Sequence, residues 1–379
     1  LMNSFIVNYF FSETDIQVYH LFNIHFHLLS VLLLYVFFKQ MNLQRIDAFL
    51  LSALFAIHPV LAQAVVWIPG RNDTILAVFA FSFMIASCKY ITKPSLLWIA
   101  LQFFALLAAL FTKETAVFVP FAFFILLLSR DGFLWKNKAN LMLYASWIAA
   151  IGIWFLIRSH ATVKNDPLQF AAMAQGFIYR FPLSIQYLGK IILPFQLSVF
   201  PMMADTSYIL GIIALLFLVA GIYFSKHKSI KKILAGIGWY LFLLLPLFIL
   251  PSSLNDQDFE HRLYLPIVGI LLLIHQTFLF TSLPSTKKVL YTSILIFLFA
   301  VLNYVHQQKF TDAITFWNSA VATTPNSAYA NMMLAARLKE GESSRADALM
   351  QKAYQLNPKE RYVNYYLGNF EEAEKYYLE

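Results

Sequence analysis

The sequence predicts an all-α protein in two parts: a polytopic bundle of transmembrane helices, then a solenoid of short helical repeats. Three observations carry this. The chain is 60 % hydrophobic and 13 % charged, where a soluble domain is usually about a quarter charged. Its apolar residues fall in runs of membrane-crossing length separated by small basic clusters. From Gln307 onward the chain turns polar and repeats itself.

A crossing helix needs roughly 20 mostly apolar residues to span about 30 Å of hydrocarbon. Spans are expected near His20–Phe38, Ala48–Trp67, Asp73–Ile91, Ser95–Thr112, Glu114–Leu128 and Ala139–Ile157. Four more follow near Ser207–Phe224, Ile233–Leu250, Leu263–Ser282 and Val289–Val305. The apolar stretch Phe181–Phe200 is broken by Pro182, Pro194 and Pro201 and reads as interfacial or re-entrant. The membrane part thus covers 1–305 and the repeats 306–379.

Charge orients this bundle. One set of connections carries Lys39, Arg45, Lys89, Lys93, Arg130, Lys136, Lys138, Lys226, Lys228, Lys231, Lys232, Lys287 and Lys288. The opposite set carries Arg71, Lys113, Arg158, Lys164, Arg180, Lys190 and Arg262. Cations favour the cytoplasmic side, so the larger set is expected inside. The net charge of +8 is explained this way and implies no nucleic-acid partner. Acidic residues run the other way. Asp47 and Asp131 are inside, whereas Glu13, Asp15, Asp73, Glu114, Asp166, Asp205, Asp256, Asp258 and Glu260 are outside. Any chemistry is expected to face out. Cys88, the single cysteine, lies in a span and excludes an internal disulfide. Both ends read as cut: the chain opens at Leu1 and stops at Glu379 inside a helical pattern.

In the tail, Ala313, Trp317, Ala320 and Pro325 recur 33 residues later as Ala346, Met350, Ala353 and Pro358. Small residues let paired helices approach, a bulky one fills the gap, and proline ends the second helix. The pattern resembles the tetratricopeptide repeat. A third unit begins at Gly368–Ala373.

Polar groups at span ends are costly in lipid, so their placement is informative. Asn23 and His27, with His20, share one helix face, suited to interhelical hydrogen bonds or to a cavity lining. His58-Pro59 kinks a span end. Arg71 and Asp73 open the next helix, where N–H groups attract anions. Thr112-Lys113-Glu114-Thr115 forms a tight outer turn, and the acidic loop from Asn255 runs into Glu260-His261-Arg262-Leu263-Tyr264-Leu265-Pro266. Arginine there suits bidentate phosphate contact, although a structural ion pair is the simpler alternative. His58, His261 and the acidic residues show no ligand spacing on one helix, so no metal is expected, a divalent ion being the alternative.

Tyr19-His20-Leu21-Phe22-Asn23 with His27, His58-Pro59 with Gly70-Arg71-Asn72-Asp73, Lys113-Glu114, and Glu260 to Pro266, taken in order and followed by repeats, resemble a known family. It is the TMTC-type family of transmembrane and tetratricopeptide-repeat glycosyltransferases, of the GT-C class, in its bacterial form. The resemblance implies a GT-C-like bundle that moves a sugar, mannose among the candidates, from a polyprenyl-phosphate carrier to a protein or other hydroxyl acceptor. It places the active site and repeats on the periplasmic side of a bacterial inner membrane, with no cofactor. It implies inverting displacement, with Arg71, Lys113 and Arg262 holding phosphate and Glu114 and Glu260 as catalytic carboxylates that position them or the sugar. Asp73, His58, His261, Tyr264, Asn23 and His27 are the further substrate-binding candidates. The principal acidic residue of the class falls in a first outer loop, expected upstream of Leu1. Relatives commonly carry glutamate where this chain has Gln63. A transporter is one alternative, although the repeat symmetry between halves usual in transporters is not found in this sequence. A non-catalytic scaffold that uses its repeats to bind a partner and a lipid-linked oligosaccharide ligase are two more.

Overall fold

Asp15 starts the first long helix by accepting a hydrogen bond from the Gln17 N–H (2.9 Å), and helix formation continues from there through almost the whole chain. The computed structural model describes residues 2–132, 138–161, 170–249, 257–338, 341–369 and 371. Lys136, Lys164, Asp166, Asn255, Asp256, the side chains of Asp131 and Lys138, and the third repeat beyond Asn369, apart from Glu371, lie outside the described residues.

The first helices are α1 (Met2–Ser12), α2 (Ile16–Gln40), α3 (Arg45–Ile57), α4 (Ala62–Val66), α5 (Arg71–Thr92) and α6 (Leu96–Thr112). Then come α7 (Val119–Asp131), α8 (Lys138–Ala161), α9 (Phe170–Arg180), α10 (Leu183–Ile192), α11 (Ile209–Tyr223) and α12 (Ile230–Phe248). The bundle closes with α13 (Ile267–His275), α14 (Phe278–Thr281) and α15 (Ser285–Gln307). The tail holds α16 (Ala313–Thr323), α17 (Ala328–Leu338), α18 (Ser343–Leu356) and α19 (Arg361–Tyr366). Among the described residues no strand forms beyond a lone bridge between Met202 and Gln257.

Five stretches are long and apolar enough to cross a membrane: Ile16–Gln40, Ile68–Thr92, Asn140–Ala161, Ile230–Phe248 and Ser285–Phe310. A sixth forms if Arg45–Ile57 and Pro59–Val66, bent by 51°, count as one span. The bend sits where Pro59 removes a donor, and the His58 ring accepts the Val60 N–H instead (3.3 Å). This differs from the ten spans expected. α6 and α11 are apolar but short. The stretch after Lys113 opens with a 3-10 turn, Glu114–Phe118, which leaves α7 only 13 residues. The expected span at 263–282 becomes helical only after Pro266 and is then divided into α13 and α14 at Gln276-Thr277. The proline-bounded stretch at 181–200 contains only the ten-residue α10, too short to cross.

Helix ends gather in two opposite groups. One end holds the pairs Lys113–Asp73, Glu114–Arg158, Lys190–Glu260 and Arg180–Asp258. The other holds Lys288 and His275 on Asp47, and Arg130 on the Gln40 carbonyl. These are the two sets that charge counting separates. Between them, α12 and α13 cross in backbone contact. A Cβ added at Gly236 would lie 2.9 Å from the Gly269 carbonyl oxygen, and one at Gly269 would lie 2.5 Å from that of Gly236.

The 33-residue period has a structural counterpart. The Asn331 side-chain amide donates to the carbonyls of Pro325 (3.2 Å) and Ser327 (2.7 Å), tying α17 to the proline turn before it. Asn364 does the same to Pro358 (2.7 Å) and Glu360 (3.1 Å) one unit later. Ala320 and Ala353 are fully buried at equivalent positions. The first repeat docks on the bundle. Phe200 packs among Trp317, Tyr329 and Phe259, and Ser198 and Thr323 share a hydroxyl hydrogen bond (2.6 Å).

Candidate functional site

α5 begins immediately after the Ile68–Gly70 turn, so the Asp73 carboxylate lies in its first turn, where a helix favours negative charge. α6 ends at Thr112, and Lys113 in extended conformation turns its side chain to Asp73 (Nζ to Oδ1 2.7 Å). The other Asp73 oxygen, Oδ2, is buried without a hydrogen-bond partner. Arg262 comes from the 3-10 turn Glu260–Leu263, its Nη1 donating to the Gln257 carbonyl (3.0 Å). These three residues and Glu114 line one cavity of about 480 Å³. Apart from Thr115 its walls are otherwise apolar, Phe118, Leu243, Leu244, Leu247 and Ile249 among them. A second cavity of about 530 Å³ shares Lys113, Glu114, Thr115 and Trp154 with the first and runs out past Ile157 and Arg158. Glu114 itself is exposed and pairs with Arg158 (2.5 Å). Two cations, a buried carboxylate and an oily wall can hold a phosphate that carries an apolar chain.

The remaining candidate residues lie elsewhere. Arg71 is wholly buried. Its Nε donates to Asn23 (2.5 Å), Nη2 to the Tyr19 carbonyl (2.7 Å) and Nη1 to Asn8, and Phe5 covers its plane at 4.7 Å. It fastens α1 and α2 to α5, and it is not among the residues lining the cavity. Glu260, expected as a catalytic carboxylate, turns into the protein. Its Oε1 accepts from Lys190 (2.9 Å) and from the Ser198 N–H (3.0 Å), and it is fully buried. His58 donates to the Ile191 carbonyl (2.9 Å), and His27 joins the Tyr264 hydroxyl (2.6 Å) to the Ala56 carbonyl (2.8 Å). Asn23 donates to the Val65 carbonyl (2.9 Å). These side chains bind helices to one another, and their lipid-avoiding polarity is satisfied inside the bundle.

His261 forms a triangle with the rings of Phe259 and Trp67, with centroids 5.3 and 5.6 Å away and those two rings 5.6 Å from each other. Its N–H and Nδ1 both face Gln63 Oε1 (3.2 and 3.3 Å). The Gln63 amide nitrogen donates to the Val199 carbonyl (2.9 Å), which fixes its oxygen as the acceptor and makes His261 Nδ1 the protonated nitrogen. Burial first, then Lys113 and Arg262, hold the His261 pKa well below the ordinary histidine value. Asp258 pairs with the buried Arg180 (3.3 Å), yet burial outweighs Arg180, Arg262 and Lys190 and pushes its pKa up to about 6.

Sequence reasoning missed Arg180, Lys190 and Gln63 as organisers of this end. The available signal was an arginine just before, and a lysine within, an apolar segment broken by prolines. Counting them as topological charges hid it. Among the described residues no group of three or more His, Cys, Asp or Glu is placed to hold a metal ion.

Fold and site together define an integral membrane protein of the all-helical class, with one polar, cation-bearing cavity at one end of its bundle. A stretch of 123 residues, 31 % of the chain, is 32 % identical to protein O-mannosyl-transferase TMTC3 of Homo sapiens, and equally to that of Mus musculus. A stretch of 90 residues, 23 % of the chain, is 36 % identical to protein O-mannosyl-transferase F38B6.6 of Caenorhabditis elegans. Each match spans 13 % of the relative's own length. No protein-family model and no solved structure matches the chain.

Proposed function

We propose that this protein is a glycosyltransferase of the TMTC type, transferring a sugar from a polyprenyl-phosphate carrier to a protein hydroxyl on the non-cytoplasmic face of the membrane. The cavity that gathers Asp73, Lys113, Glu114 and Arg262 against an apolar wall carries this reading. The names of the similar proteins support mannose as the sugar and protein as the acceptor. In this reading Lys113 and Arg262 hold the carrier phosphate at headgroup depth, with the prenyl chain along Phe118, Leu243 and Leu247. An acceptor hydroxyl loses its proton to a carboxylate, for which the cavity offers Asp73 and Glu114. Its oxygen attacks the anomeric carbon from the face opposite the phosphate. The carbon–oxygen bond to the phosphate breaks, and the departing charge is stabilised by the two cations. Asp73 also fixes Lys113. We read the tail as tetratricopeptide repeats that present the acceptor.

Transfer from polyprenyl-phosphate mannose to a Ser/Thr peptide, measured in detergent, tests this. Lys113→Ala and Arg262→Lys are expected to lower turnover by on the order of a hundredfold, the usual loss for a preorganised charge stabiliser. Arg71→Ala is expected to lower the amount of folded protein instead. Wild-type rates in both cavity variants, or no transfer by the wild type, would overturn the proposal.

A further inference from the structure

We propose that the first repeat, besides presenting an acceptor, is a positioning element that acts through Ser198 and Glu260 on Arg262, a role that rests on reading Arg262 as a carrier-phosphate cation. Ser198 is the junction. It is buried, its N–H donates to Glu260 Oε1 (3.0 Å), and its Oγ accepts from the Phe200 N–H (3.1 Å) and shares a hydrogen bond with Thr323 Oγ1 of α16 (2.6 Å). The Thr323 hydroxyl proton is engaged by the Ser319 carbonyl of its own helix (2.8 Å), so Ser198 is the donor in the shared bond. Ser198 therefore gives one proton to the repeat and one to the carboxylate.

From the carboxylate the tie reaches Arg262 within one turn. Glu260 opens the 3-10 turn Glu260–Leu263, and Arg262 is two residues further on. The Glu260 Oε1 that takes the Ser198 N–H also takes Lys190 (2.9 Å). Its Oε2 has no hydrogen-bond partner and lies 3.8 Å from Nε2 of His306, a buried ring in the last turn of α15, the helix from which the repeats hang. The backbone follows the same route. The Asp258 N–H donates to the Pro201 carbonyl (2.8 Å), and Met202 bridges to Gln257. The strip from Ser198 to Met202 is thus bonded to the repeat on one side and to the arginine turn on the other. A buried carboxylate held this way keeps its place, because losing a partner would strand charge away from water. A contact that only fastened the repeat could end on any carbonyl of the bundle. This one ends on the group that begins the turn of the phosphate-holding arginine, whose planar fork works only when aimed.

The experiment measures the affinity of the full chain in detergent for undecaprenyl phosphate, the carrier without its sugar, in a thermodynamic cycle with Arg262→Lys. Lysine keeps the charge on a flexible stem and needs no aiming. Thr323→Val removes the shared hydroxyl bond from the repeat side. With Arg262 present it is expected to weaken carrier binding roughly two- to tenfold, the range of one net hydrogen bond, and in Arg262→Lys to cause no further loss. Ser198→Ala removes the same bond from the bundle side, keeps the N–H donor to Glu260, and is expected to show the same dependence on Arg262. Thr315 is the control, since its hydroxyl bonds to Asp312 of the same repeat (2.6 Å), and Thr315→Val is expected to bind as the wild type does. Equal losses with and without Arg262 would show that the repeat only stabilises the fold, and would overturn the inference. Wild-type affinity in both Thr323→Val and Ser198→Ala, or an equal loss in Thr315→Val, would overturn it as well while leaving the cavity's assignment standing. If the wild type binds no undecaprenyl phosphate, the reading of the cavity as a carrier site falls, and the positioning role falls with it.

Discussion

The ring of Phe200 lies nearly parallel to that of Tyr329, with centroids 5.6 Å apart and planes 18° apart. One residue belongs to a loop of the membrane bundle and the other to the first repeat. Through the same ring the repeat touches Phe259, two residues before His261. Phe200→Ala is expected to weaken docking by roughly 3 kcal/mol, as for other buried phenylalanines. Limited proteolysis in detergent should then cut faster around Lys309, while the bundle's melting temperature stays near wild type. Unchanged cleavage would mean that other contacts hold the repeat.

Gln63 is the acceptor for two His261 donors and the donor to Val199. Gln63→Leu strands a buried carbonyl and an N–H, at about 1–3 kcal/mol for each group. A lower melting temperature is expected, together with reduced turnover, because Arg262 follows His261 directly in the same turn. Equal stability in the variant and the wild type would show that these bonds are replaced.

Asp258 gives a pH signature. Its folded pKa, about 6, lies above the ordinary aspartate value, so the folded state binds the proton more tightly than the unfolded state. Its contribution to stability is complete below the unfolded pKa and is lost as pH rises through about 6. Relative to Asp258→Asn, the wild type should therefore melt progressively higher as pH falls from 7 towards 4. A difference that is flat with pH would contradict the assignment.

Two glycines separate packing from propensity. Gly236→Ala forces the α12–α13 crossing apart and is expected to cost about 1–3 kcal/mol. At Gly152 in α8 an added Cβ would meet nothing within 4 Å, and Gly152→Ala should be neutral or stabilising by up to about 1 kcal/mol. Both are read as melting temperatures in detergent.

Sidedness is tested with thiol labelling. Cys88 is fully buried, so the natural background should be silent. In intact cells a cysteine at Asn255 should react with an impermeant reagent, and one at Ser229 should not. The reverse pattern would invert the proposed orientation.

Composition alone made the helical membrane class legible, and repeat spacing located the tail. Span number was not legible in the same way. Apolar runs at 114–128 and 263–282 look continuous in sequence, but 3-10 turns and prolines divide them once the chain is folded. The candidate site was readable in part. Asp73 and Lys113 stand out singly, while their pairing spans 40 positions and depends on how α5 meets α6. Glu260, His261 and Arg262 look like one cluster. A 3-10 helix turns about 120° per residue, so three consecutive side chains leave in three directions. One enters the Lys190 pocket, one meets Gln63, and only Arg262 reaches the cavity.

The Gly236–Gly269 contact also sets how the cavity can move. α12 supplies Leu243, Leu244 and Leu247, and the segment leading into α13 supplies Arg262, Leu265 and Pro266. Backbone touching backbone leaves these two helices no compressible side chain between them at the crossing, so they shift together like one plate. The facing side is built differently. The Lys113–Thr115 turn is joined to α8 by the Glu114–Arg158 pair, whose side chains are 62 % and 36 % exposed, and water weakens such a pair. The cavity thus has a stiff wall bearing Arg262 and, across from it, a group held only by an exposed pair, Glu114. Widening to admit a bulky molecule moves Glu114 and leaves Arg262 and the Lys113–Asp73 pair where they stand.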